Sequence, residues 1–241
     1  MVYLDNRAGR LHDVLTHMAG QGGAGNVRNA WTNVLKPDPN TPALLMEGIA
    51  KVMRLALDAE ADVRDLEDDD SDLLLAWVPA VSSAMGSAHL LDQGVDVVNG
   101  HVGPTHFQSL EIAARDLHRH APRPQISEAK RDEALELVAG LLATLQGSDD
   151  LDPASRAMLI RHAAALQYAL NLAWVTGPEG VEDALAGAMG AAHIVLWASP
   201  ESGTKTTFKK FVEAMTALST MLVIAQSGLA IGTSLAGLLG S

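Results

Sequence analysis

The spacing of apolar residues is helical over most of the chain. In "ALLMEGIAKVMRLAL", Leu44, Leu45, Ile49, Val52, Met53 and Leu57 recur at steps of three and four, which places them on one helix face. "RLHDVLTHM" repeats the pattern with Leu11, Val14, Leu15 and Met18. Start signals precede several such stretches: Thr41 before Pro42, Ser127 before "EAKRDEALELVAGLLATL", and Asp152 before Pro153 and "ASRAMLIRHAAALQYALNLAWV". "TGPEG" (176–180) and "SPESG" (199–203) then interrupt the apolar runs. Breaks this short predict antiparallel neighbours. The expected fold is mainly α, a helical bundle or bundles of about eight or nine helices.

Two stretches depart from this period. "VDVVNGHV" (95–102) sets β-branched residues around Asn99-Gly100, which reads as a small β-hairpin or, because each arm is so short, an irregular loop. "LLLAWVPAVSSAMGSAHLL" (73–91) is uncharged and tempts a membrane reading. Pro79, three serines and His89 argue instead for a central buried helix bent at Pro79. "HAPRPQ" (120–125) carries Pro122 and Pro124 and is the best linker. The expected organisation is an N-terminal helical domain over 1–122, a C-terminal helical bundle over 126–200, and an apolar C-terminal helix or helical hairpin over 204–241.

That last segment poses the main question. Phe208, Phe211, Val212 and Met215 share a face opposite Lys209 and Lys210, and beyond Met215 the pattern is apolar all round. No residue after Glu213 is charged. At about 1.5 Å per residue, the run 214–240 exceeds the roughly 30 Å of a bilayer core. Gly228, Gly232, Ala236 and Gly240 recur every fourth residue, a ridge that lets a second helix approach closely in lipid. The run is poor in Leu, Ile and Val, so a lone helix gains little by insertion. Burial among the chain's own Ala-rich helices is the competing fate.

Charge sharpens the picture. The net charge is −12. The acidic excess lies in residues 1–200, and only the C-terminal segment is net basic, with Lys205, Lys209 and Lys210 against Glu201 and Glu213. An acidic body repels phosphate backbones and excludes general nucleic-acid binding. Lysines beside an apolar run suit anionic lipid on a cytoplasmic face. The chain has no Cys, which excludes thiol catalysis, disulfides and Cys-based zinc sites. The N-terminal stretch lacks the apolar core of a secretory leader. The expected location is cytoplasmic, peripheral to or tail-anchored at the inner face of the membrane.

Candidate chemistry is sparse. "GQGGAG" (20–25) fits the spacing of a dinucleotide loop, but a helix-like stretch precedes it, and such loops follow a strand. It reads as a helix connection. His106, Asp116, His118 and His120 are weak metal candidates, since His106 and His120 are about four turns apart on a helix. "DLEDDDSD" (65–72) lacks the glycine of a calcium loop and reads as a solvated turn. No nucleophile elbow or paired Glu-x-x-His motif occurs. No catalytic residue and no cofactor is expected.

The leading expectation is a non-enzymatic, self-associating protein that acts at the cytoplasmic membrane as an effector. Phe208, Phe211, Leu222, Gly228, Gly232, Ala236 and Gly240 would make membrane or oligomer contacts, and Lys205, Lys209 and Lys210 would meet anionic lipid. The alternative is a soluble helical adaptor or regulatory protein that binds a protein partner, its C-terminal segment buried or docked.

Overall fold

A computed structural model describes residues 6–23, 25–37, 41–66, 71–120 and 126–222. They form α1 (Arg7–Ala19), α2 (Val27–Leu35), α3 (Ala43–Arg64), α4 (Ser71–Leu74), α5 (Val78–Ser87), α6 (Asp96–Asn99), α7 (Pro104–His120), α8 (Glu128–Gln146), α9 (Pro153–Asn171), α10 (Ala173–Ala198), a 3-10 turn (Pro200–Thr204) and α11 (Thr206–Met221). The class is all-α, with more helices than eight or nine. The described residues divide into two compact units: those up to 120 with 174–177, and 126–173 with 178–222.

In the first unit, α1 packs on α3 and α7. Leu11, Val14, Leu15 and Met18 are all buried, as their spacing predicts. Asn6 caps α1 by accepting from the Gly9 N–H at 2.9 Å and donates to the Ala114 carbonyl at 2.7 Å, which ties the cap to α7. The glycine loop is a connection. Gly20 ends α1, Gly25 takes φ +81°, and Asn26 caps α2.

Four local expectations are corrected. No hairpin forms at 95–102; Val95 and Val98 are buried one helical turn apart, and the Gly100 N–H donates to the Asp96 carbonyl at 2.8 Å. Burial of two valines on one helical face outweighs the turn preference of Asn-Gly. The run 73–91 is not one bent helix. It breaks after α4, and Pro79 stands in the first turn of α5, where its missing N–H costs nothing. Thr41 gives α3 no side-chain cap; Pro42 stands at the cap position. Leu57 falls off the buried face and is 60% exposed.

In the second unit, Ser127 and Asp152 cap α8 and α9 as expected. α8 and α9 pack as a hairpin, and α11 lies on α8. The break at "TGPEG" is a kink in α10 at Gly177, the last of the residues 174–177 that belong to the first unit; its φ of +72° is one an L side chain rarely adopts. Val138, Leu141, Leu145, Leu159, Leu166, Val181, Leu185 and Val195 form one core with Phe208, Phe211, Met215 and Leu218.

Candidate functional site

The C-terminal helix is held at its start by a carboxylate from another loop. Lys205, at the cap position of α11, supplies no side-chain acceptor. Asp150, between α8 and α9, takes that role: the Thr207 N–H donates to its Oδ2 at 3.1 Å. The Ser148 hydroxyl donates to Asp150 Oδ1 at 2.5 Å and stands 2.7 Å from the Thr207 hydroxyl. These hydrogen bonds, Ser148 first and Thr207 next, pull the Asp150 carboxyl down to about 2. A negative charge at a helix N-terminus is also favoured by the helix dipole. Arg156 closes the loop by donating to the Ser148 carbonyl.

The first half of the expected membrane segment is therefore core. Phe208 and Phe211 are fully enclosed and Leu222 is buried, so in this fold their contacts are with the unit's own helices. Lys209 and Lys210 point to solvent, and Lys205 is half-buried. Of the carboxylates around this helix start, Asp150 is held by Ser148 and Thr207, and Asp149 pairs with Arg156 at 3.6 Å. Gly228, Gly232, Ala236 and Gly240 lie outside the described residues, as do Pro122 and Pro124. No described helix is long and apolar enough to cross a membrane.

What the periodicity did not single out is the outer face of α10. Trp197 is 87% exposed and Ile194, one turn earlier, 53%. Gly190, His193 and Ala198 are exposed beside them. Together they make a largely apolar patch in the last turns of α10, with one imidazole in it. The 3-10 turn joins that end directly to the first turn of α11. The turn packs so closely that a Cβ at Gly203 would stand 2.8 Å from Leu196 Cδ1. The patch has a signal in the sequence, since Gly190, Ile194 and Trp197 are spaced four and three apart. Residues 181–198 are apolar on too many sides for spacing alone to tell outer face from inner.

A second feature is a groove of about 600 Å³ between α8 and α11, lined by Glu133, Val212, Glu213, Thr216, Ala217, Thr220 and Met221. Its hydroxyls are engaged within their own helix: Thr216 donates to the Val212 carbonyl at 2.9 Å and Thr220 to the Thr216 carbonyl at 3.0 Å. In the first unit, α3 carries an apolar stripe at steps of four and three, with Met46, Ala50 and Leu57 exposed and Met53 half-buried. The ion pairs Glu47–Lys51 and Arg54–Asp58 run alongside it.

The histidines are not gathered. His106 accepts from the Gly103 N–H at 3.0 Å at the start of α7, and His120 bonds the Asp116 carbonyl at 2.9 Å at its end. The Asp116 carboxylate is taken by Arg119 at 2.7 Å. His118 Nδ1 is enclosed without a partner among the described residues. Among those residues no three His, Asp or Glu stand close enough to hold a metal ion. No protein-family model matches the chain, and comparison with curated proteins and with solved structures gives no match either.

Proposed function

We propose that the chain is a non-enzymatic helical protein that acts at the inner face of the cytoplasmic membrane. The second unit would meet the lipid surface and deliver the uncharged segment 223–241 to it. The observation that carries this reading is Trp197, almost fully exposed beside Ile194 at the end of α10; the 3-10 turn then leads into α11, whose first turns expose Lys209 and Lys210. Tryptophan favours the headgroup boundary because its ring is apolar and its N–H polar. Removing the two side chains from water is worth about 3–4 kcal/mol at most. Each lysine adds about 1 kcal/mol near an anionic surface. The chain's net charge of −12 works against an anionic surface, so apolar contact must dominate. Self-association through Gly228, Gly232, Ala236 and Gly240 would follow in lipid, the arrangement of a membrane-active effector.

Flotation of the full chain with phosphatidylcholine vesicles, with and without phosphatidylserine, tests the reading. Binding should fall about tenfold or more in Trp197→Ser with Ile194→Ser, and less in Lys209→Gln with Lys210→Gln. A chain that floats with neither vesicle refutes it. The second reading is a soluble adaptor, supported by the stripe on α3, whose Met-rich surface suits a partner helix. Under that reading, Leu57→Asp would abolish capture of the partner and leave vesicle behaviour unchanged.

A further inference from the structure

The α8–α11 groove has chemistry that narrows its occupant. Val212, Ala217 and Met221 supply apolar wall, and the two threonines add methyl groups while their hydroxyl protons serve their own helix. The charged residues of its lining are Glu133 and Glu213, both exposed at the rim. This lining selects no polar or anionic ligand, and the rim repels anions. The volume, about 600 Å³, lies in the range of about 300–1,000 Å³ found for ligand-sized clefts. An uncharged, apolar occupant fits.

The chain supplies one at the groove's own end. Met221 lines the groove, Leu222 follows it into the core, and residues 223–241 carry no charge and include Val223, Ile224, Leu229, Ile231 and Leu235. From Val212 to Met221 the groove runs about 14 Å along α11. The segment reaches all of it at about 1.5 Å per residue if helical and easily at about 3.3 Å if extended. Its covalent attachment holds it at an effective concentration on the order of millimolar, so even weak docking fills the site.

We propose that this groove is the seat of the chain's own residues 223–241 in water. The seat shields an apolar segment that would otherwise drive aggregation, and it leaves that segment free to exchange groove for lipid. The exchange step rests on the membrane reading above; the seat does not.

The absence of cysteine allows a direct test in the full-length chain. Ala217→Cys, on the groove wall, is labelled with a maleimide in buffer beside Ala164→Cys, an exposed control on α9. Labelling at the groove position should be slow and should rise about tenfold when Leu229→Asp and Leu235→Asp are added, with no change at the control. In a second arm, Ala217→Cys combined with Gly232→Cys should oxidise to a monomeric disulfide at micromolar protein. Equal labelling with and without the aspartates overturns the proposal. So does a disulfide found only in dimers, which assigns the groove to a second copy. Vesicles added to the same labelling assay separate the two ideas: protection in buffer that vesicles do not relieve retires the membrane reading and leaves the seat standing.

Discussion

Replacing Asp150 by Asn tests how the C-terminal helix is held. The substitution keeps the shape but exchanges one carboxylate oxygen for a donor, so the Thr207 N–H or the Ser148 hydroxyl loses its acceptor. A carboxyl at about 2 in the folded chain against about 3.9 unfolded would be worth about 2.6 kcal/mol at neutral pH. The carboxylate is reached by solvent, and screening reduces this to about 1–2 kcal/mol, the size of a lost helix cap. Because the folded value is depressed, the contribution is complete above the unfolded value and is lost as pH falls through about 2. Hydrogen exchange read by mass spectrometry over residues 206–221 isolates the effect from the first unit. Protection should drop about 5- to 30-fold in Asp150→Asn at pH 7. Thermal unfolding followed by circular dichroism should show the difference between the two proteins shrinking from about pH 4 to about pH 2. Unchanged protection at pH 7, or a difference that persists undiminished below about pH 2, would refute the capping role.

Phe211→Ala should cost about 3–5 kcal/mol in urea unfolding, because Phe211 fills the core, whereas Trp197→Ser should change stability by less than about 0.5 kcal/mol. Gly177→Ala should destabilise by about 1–2 kcal/mol in thermal unfolding, since alanine must adopt the left-handed φ of the α10 kink. Burial, then the nearby Arg161 charge, pulls His162 below its ordinary value; its folded-state contribution is present above about 6.5 and lost as pH falls. Wild-type stability should therefore decline on acidification below about pH 6.5, and His162→Gln should flatten that decline.

Much of the architecture follows from local pattern. Asn, Ser and Asp at helix starts act within three residues of their own position, so Ser127 and Asp152 were readable as caps from their neighbours alone. The face of α1 was readable because four apolar residues among charged ones leave a single orientation. The apolar helices of the second unit were not. Residues 181–198 hold too few polar side chains to mark an outer face, so spacing could not show that Trp197 faces solvent; spacing put Phe208 and Phe211 on one face but could not show whether that face meets the chain's own core or lipid.

The fold class, the starts of α8 and α9 and the breaks at 176–180 and 199–203 belong to the sequence itself, because propensity, capping and proline geometry act over a few bonds. Tertiary structure alone decided the rest: that the amphipathic half of the C-terminal segment is core, that Asp150 caps a helix more than fifty residues away, and that α8 and α11 leave a groove between them. Each of these depends on which surfaces meet after collapse, and a chain whose helices are apolar on several sides carries no local record of that choice.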